Sequence, residues 1–239
     1  MPKQQFDIRY LFPNFFTALS IFVGVVAIIA AIKGDTHKAA WFIFISLILD
    51  GLDGRIARWT NACSEFGVEF DSLADIVAFG VAPAVLFYVT IGWEYGRFGT
   101  MVAALYVVFG AIRLARFNIL APSSEPTYFL GLPIPTAAAF VAAWTLLYLD
   151  TSIPIIKPIL LYGTLLVALL MVSNIRYPSF KKVSLQKRHV IRAIVILTIF
   201  LAILYLYPPL VLAVIVTSYV VLGIIRAIYY LSKRRVRSE

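Results

Sequence analysis

The sequence predicts an all-α fold: a polytopic membrane bundle of about eight transmembrane helices. Three observations carry this reading. Of 239 residues, 62% are hydrophobic and the mean hydropathy is +0.91, whereas soluble domains are about 45–50% apolar. The apolar residues gather in runs close to the roughly 20 that a spanning helix needs. The runs do not alternate polar with apolar as the strands of a membrane barrel would. In lipid, a helix satisfies its own backbone hydrogen bonds and an open sheet does not.

Residues 1–13 interleave Phe6, Ile8, Tyr10, Leu11 and Phe12 with Lys3, Asp7 and Arg9, the pattern of an interfacial segment lying on lipid headgroups. Pro13 opens the first span, residues 14–32, because proline suits the first turn of a helix. Lys33-Gly34-Asp35 ends it. The second span, residues 38–58, ends inside an aspartate-bearing stretch, and the third, 66–91, begins inside the same stretch. Span four covers 97–119 and is interrupted by Arg113 and Arg116 near its end. A polar loop, APSSEPTYFLG, leads to spans five and six, 133–150 and 155–175. Spans seven and eight, 190–207 and 209–231, are divided by Pro208-Pro209, and a basic tail occupies 232–239. The expected organisation is an interfacial segment (1–13), a six-helix membrane domain (14–175), two additional helices (176–231) and the tail.

The net charge of +9 comes from Lys and Arg that flank spans. With both termini on one side, that side holds seventeen basic residues, and the other holds four: Lys33, Lys38, Arg97 and Lys157. The positive-inside rule makes the richer side cytoplasmic, so the expected location is an inner (cytoplasmic) membrane with termini and aspartates facing the cytosol. Charge placed this way sets topology and attracts anionic membrane lipids; it does not indicate a nucleic-acid partner. Cys63 is the single cysteine, which excludes an intrachain disulfide. The polar N-terminus is not expected to be a cleaved signal.

Residues 50–75 read DGLDGRIARWTNACSEFGVEFDSLAD. Asp50 and Asp53 are three apart, and Asp71 and Asp75 are four apart, so each pair lies on one face of its own helix. Two such helices packed antiparallel bring four carboxylates together at the membrane edge. A carboxylate at membrane depth costs about 2.5–3.5 kcal/mol on insertion scales. Four unpaired negative charges need a cation between them, and hard divalent ions with oxygen ligands suit the site. Helix capping would explain one carboxylate per helix, not two pairs. Gly51, Gly54 and Gly67 permit close approach of backbone or ligand, and Arg58 has the chemistry to clamp a phosphate. Two carboxylate-held metals and an arginine fit phosphoryl transfer. A cation transporter would be expected to carry its carboxylates near the midplane, often in a repeated half, and no second copy of the motif is present.

The fixed positions Asp50, Asp53, Gly54, Ala57, Arg58, Gly67, Asp71 and Asp75 resemble, at every spacing, the signature of the CDP-alcohol phosphatidyltransferases. That resemblance implies a six-helix catalytic core, displacement of CMP from a CDP-linked lipid by an acceptor hydroxyl, and two divalent cations, Mg2+ or Mn2+. It implies Asp50, Asp53 and Asp71 as metal ligands, with Asp75 as general base that also touches metal. It implies Gly54, Arg58 and Ser64 as contacts to the CDP moiety, with Pro13 and Asn14 on the cytidine side, and a homodimer.

Two further segments, Arg113-Leu114-Ala115-Arg116-Phe117-Asn118 and Phe129-Leu130-Gly131-Leu132-Pro133-Ile134-Pro135, resemble those of membrane-type phosphatidylserine synthases. Arg113 and Arg116 are three apart on one helix face, near the aspartate end of span four, and two arginines there favour an acceptor that carries a carboxylate. L-serine has one; inositol and choline do not. The expected substrates are CDP-diacylglycerol and L-serine, with Arg113, Arg116 and Asn118 around the acceptor. Glycerol 3-phosphate, also anionic, is the competing acceptor, and anchoring of span four to headgroups is the alternative role for the arginines.

Overall fold

Long apolar helices running up and down make the fold, and most of the turns between them have a local cause. The computed structural model describes residues 11–59, 64–120, 128–178, 198 and 201–235. Helix α1 spans Leu11–Ile32 and α2 spans Thr36–Trp59. Pro13 sits in the first turn of α1, where a missing N–H breaks no helical bond. Gly34 closes α1 at φ +87°, with its N–H on the Ala31 carbonyl (3.0 Å) and the Asp35 N–H on that of Ala30 (2.9 Å). This left-handed closure reverses the chain sharply into α2. Midway along the hairpin the Ser20 and Ser46 hydroxyls lie 2.8 Å apart, and Ser46 Oγ donates to the Ser20 carbonyl at 2.9 Å. Small hydroxyl residues let helices in lipid approach closely and bond across.

The third pass is one rod in three parts: α3 (Glu65–Asp75), a π-helical segment (Ile76–Val81) and α4 (Ala82–Thr90). Pro83 gives the physical reason. It has no N–H to offer the Phe79 carbonyl four residues back, and its ring crowds that carbonyl. The helix widens, the Ala82 N–H bonds the Val77 carbonyl, and the freed Phe79 carbonyl accepts from Tyr106 Oη at 3.1 Å. Tyr106 is fully buried. The widened turn starts directly after Asp75 and so sets how that residue is rotated relative to α4.

A 3₁₀ turn, Gly92–Tyr95, leads into α5 (Gly96–Leu120), followed by α6 (Ile134–Thr151), α7 (Ile156–Val172) and, further on, α8 (Pro208–Arg235). Helix α5 runs unbroken through Arg113 and Arg116, which the sequence reading treats as an interruption. Helix ends otherwise fall within three residues of the expected bounds for the first six passes. A short ribbon was not expected: β1 (Tyr128–Leu130) pairs antiparallel with β2 (Arg176–Pro178), Tyr128 opposite Pro178 and Leu130 opposite Arg176. It forms because α5 packs on α7, bringing the segments that follow them side by side. Gly131, at φ +78°, completes the junction: its N–H donates to the Ile175 carbonyl at 2.8 Å, and a side chain there would overlap the Met171 carbonyl.

Among the described residues, five helical stretches are long and apolar enough to cross a membrane: Phe12–Ile32, Glu65–Thr90, Gly92–Ile119, Ile134–Thr151 and Pro208–Ile228. Helix α2, 24 residues long, carries its aspartates near one end, and α7 has 17 residues. Most of the expected seventh span lies outside the described residues; 201–206 are helical. The interfacial segment up to Tyr10, Cys63, residues 121–127 and 179–189, and the last four residues also lie outside them.

Successive passes alternate in direction, so the bundle has two ends. At one end the α1–α2 turn, the 3₁₀ turn and the α6–α7 turn are joined by His37–Asp150 (3.2 Å) and Lys157–Glu94 (2.7 Å). The aspartates, the ribbon and the last turns of α5 and α7 occupy the other. Small residues dominate the contacts between: Ala27, Ala31, Ala39, Ala40, Ala78 and Ala82 are buried, and Gly24 lies so close to Ala78 that a Cβ would come within 3.0 Å of it.

Tyr106→Phe leaves the Phe79 carbonyl buried without a donor, which costs roughly 1–3 kcal/mol. The expected result is a lower melting temperature in detergent at unchanged helix content. An unchanged melt would show that the widened turn does not depend on this hydroxyl.

Candidate active site

Asp50 and Asp53 descend from the last turns of α2, and Asp71 from α3, which enters from the same end. One carboxylate oxygen from each of the three lies within 4.8 Å of the others. The spacing argument therefore holds for three of the four aspartates as a single group. Asp75, one turn deeper, is 8% exposed and sits against Asp50, within hydrogen-bonding reach, and close enough to Asp71 to feel its charge. Its Oδ1 is buried with no hydrogen-bond partner among the described residues.

Helix α3 starts where it does because Ser64 caps it: the Gly67 N–H donates to Ser64 Oγ at 3.0 Å, with Ser64 itself extended. Gly67 is packed against α1 as well, since a Cβ there would meet Ser64 Oγ at 3.2 Å and Asn14 Oδ1 at 3.4 Å. Pro13, Asn14 and Ser64 are thereby gathered at the mouth of the aspartate group. Gly51 and Gly54 face open space among the described residues, none of which would lie within 4 Å of a Cβ there. The Arg58 side chain lies outside the described residues.

The three acceptor-side residues separate. Arg113 is buried at 7% exposure, its guanidinium interacting electrostatically with Asp75 and Asp50 and lying 5.2 Å above the Phe117 ring. Its Nε has no hydrogen-bond partner among the described residues. Arg116 turns the other way and caps α7: its Nη1 donates to the Val172 carbonyl and Asn174 Oδ1 (both 3.2 Å), and Nη2 to the Ser173 carbonyl at 3.0 Å. Helix C-termini leave such carbonyls without partners, and a cation there also complements the helix dipole. Asn118 Nδ2 donates to Ser72 Oγ at 2.9 Å, joining α5 to α3 beside Asp71.

One contributor escapes the motif reading. Thr17 Oγ1 lies 2.8 Å from Asp53 Oδ2, with both residues buried. The available signal was a hydroxyl one helical turn after Pro13 in a span with few other polar side chains, Asn14 and Ser20.

The donor set fits a hard divalent cation. It is all oxygen, three carboxylates converge within bonding reach of one small ion, and a fourth carboxylate behind them offers an unpartnered buried oxygen. The same set beside open glycine backbone can hold a pyrophosphate against metal, and Arg113 adds the one buried cation among the described residues.

Residues 10–173 match the CDP-alcohol phosphatidyltransferase family. The chain is 47% identical over 229 residues to the CDP-diacylglycerol–serine O-phosphatidyltransferase of Helicobacter pylori (strain J99), covering 94% of each chain. It is 39% identical over 171 residues to the Bacillus subtilis protein of that name, covering 71% of this chain and 91% of the relative. With the Mycobacterium leprae protein of the same name it shares 36% identity over 226 residues, 87% of this chain and 72% of the relative. The matched region begins and ends almost where α1 begins and α7 ends, so it covers every helix that brings a carboxylate or Arg113 to the site. The chain belongs to the CDP-alcohol phosphatidyltransferase family.

Proposed function

We propose that the protein transfers the phosphatidyl group of CDP-diacylglycerol to the hydroxyl of L-serine, giving phosphatidylserine and CMP. The observation that carries this is one buried arginine, Arg113, within electrostatic reach of the deepest aspartate, Asp75. In serine, the carboxylate and the reacting hydroxyl are separated only by Cα and Cβ. A site for serine therefore needs its anion-binding group close to its base, and the electrostatic interaction of Arg113 with Asp75 supports that pairing. Relatives that carry the name of this reaction over most of the chain support the same acceptor.

Asp50, Asp53 and Asp71, with Asp75 behind them, would hold two divalent cations, Mg2+ or Mn2+. When bound, these cations polarise the pyrophosphate and offset charge on the departing CMP. Pro13, Asn14, Ser64 and Arg58 hold the CDP end, and the open backbone at Gly51 and Gly54 leaves room for it. Arg113 takes the serine carboxylate through charge-assisted hydrogen bonds. Asp75 accepts the hydroxyl proton at Oδ1 as the serine oxygen bonds to the lipid-side phosphorus. The bond from that phosphorus to the CMP oxygen breaks, and CMP leaves. Arg116 and Asn118 serve the acceptor side by fixing the end of α5 against α7 and α3.

The site opens to the cytosol in this reading, supported by seventeen basic residues against four. All four of the minority lie at the turns of the opposite end of the bundle. The aspartates sit at one end of their helices, where a soluble nucleotide and a bilayer lipid meet, which disfavours a cation-transport pathway.

A headgroup screen tests the acceptor. Purified protein, CDP-diacylglycerol and Mg2+ should release CMP with L-serine and not with glycerol 3-phosphate, inositol or choline, and EDTA should stop the release. Preference for glycerol 3-phosphate would assign a phosphatidylglycerophosphate synthase instead. Asp75→Asn should lose turnover while CDP-lipid binding, read by ligand-induced stabilisation, persists; loss of both would make Asp75 a ligand only. Arg113→Lys removes a fork geometry that lysine does not reproduce. Its Michaelis constant for serine should rise about 10-fold or more, the equivalent of about 1.4 kcal/mol, with that for the CDP-lipid nearly unchanged.

A further inference from the structure

We propose that Thr17 is a positioning residue for the metal-binding carboxylates: its hydroxyl, donated across the α1–α2 interface, fixes the rotamer of Asp53 so that the second oxygen of that carboxylate points at Asp50 and Asp71. This rests on the reading of the aspartates as ligands of divalent cations.

Asp53 is 6% exposed and Thr17 is 3% exposed, facing each other across the α1–α2 interface. Besides the Gly54 backbone N–H on its own helix, Thr17 is the group among the described residues that orients this carboxylate, which would otherwise turn away from two like charges. Thr17 Oγ1 has two acceptors in reach, the Pro13 carbonyl at 3.2 Å and Asp53 Oδ2 at 2.8 Å. One hydroxyl has one proton. The Pro13 contact is the ordinary back-bond of a threonine to the preceding turn of its own helix. The carboxylate contact is shorter and strengthened by charge, so it takes the bond.

Donors behind metal ligands orient them and tune the ion, and removing one typically costs about 10–100-fold in metal affinity or activity. The bond also ties two functions together. Thr17 lies one turn after Pro13 and Asn14, and Asn14 approaches Gly67 at the start of α3. The same turn of α1 therefore touches the nucleotide-side residues and holds a metal ligand.

The test measures Mn2+ binding to full-length protein in detergent by electron paramagnetic resonance, with no substrate present. Wild type, Thr17→Val, Thr17→Ala and Thr17→Ser are compared, each checked for wild-type helix content. The proposal expects Mn2+ affinity to fall about 10-fold or more in the Val and Ala variants and to stay near wild type in the Ser variant. Wild-type affinity in either the Val or the Ala variant overturns it. A loss in Ser as large as in Val also overturns it, since the methyl group and not the hydroxyl would then matter. If wild type binds no Mn2+ at all, the cation reading of the aspartates fails first, an outcome distinct from the other two.

Discussion

Three carboxylate oxygens within 4.8 Å of one another form an arrangement that opposes itself. At an effective dielectric of about 20, each pair of full charges at that separation repels by roughly 3–4 kcal/mol. Neither α2 nor α3 has a local reason to accept this, so the rest of the bundle must impose it. One buried guanidinium, Arg113, offsets part of the charge. Relief of the remainder is the physical basis on which a divalent cation would bind, and a scaffold stiff enough to hold the charges together beforehand makes that binding tight. The stability of the fold and the chemistry of the site are joined through this repulsion.

Helix α1 is the member that holds the opposing helices in register. Along its length it meets α2 at the left-handed closure of Gly34, at the Ser20–Ser46 pair, and at Thr17–Asp53. On its other side it meets the third pass at Gly24 against Ala78 and at Asn14 against Gly67. None of these contacts is large. Their value is in spacing: they leave no freedom for the aspartate helices to slide by a turn, which would separate the carboxylates. Apolar burial alone could not enforce this, because lipid is as apolar as the helix surfaces and packing must select the register.

Much of this was legible from the residue order. Hydropathy marked the passes because a lipid-spanning helix must be long and apolar whatever it packs against. The i,i+3 and i,i+4 aspartates marked the site because helix pitch is fixed. What could not be read depended on partners distant in sequence. Pro83 was visible, but a proline in a helix can kink it, end it or widen it, and here the outcome turns on Tyr106 reaching the Phe79 carbonyl. The β1–β2 ribbon follows from α5 packing on α7. Arg113 and Arg116 were read as sharing a face, yet three residues leave neighbours about 60° apart around a helix of 3.6 residues per turn. That angle is enough for Arg113 to face the aspartates and Arg116 to face the end of α7.

The same division explains how a helix outside the matched family region can bear on the site. Trp144 Nε1 of α6 donates to Thr217 Oγ1 of α8 at 3.0 Å, and α8 also packs against β2. Strand β2 carries β1, β1 leads into Gly131, and the Leu132 N–H bonds the Leu170 carbonyl at 3.0 Å in the last turn of α7. Arg116 holds the residues that follow, 172 to 174. The path from α8 to Arg113 thus runs through the packing of α8 on β2, then through hydrogen bonds and one turn of α5. At the opposite end the side-chain ties among the described residues are the His37–Asp150 hydrogen bond and the Lys157–Glu94 ion pair, and surface contacts of this kind contribute about 0–1 kcal/mol each. The bundle is therefore fastened most firmly at the end where its charges must be kept together, and the terminal helix is part of that fastening.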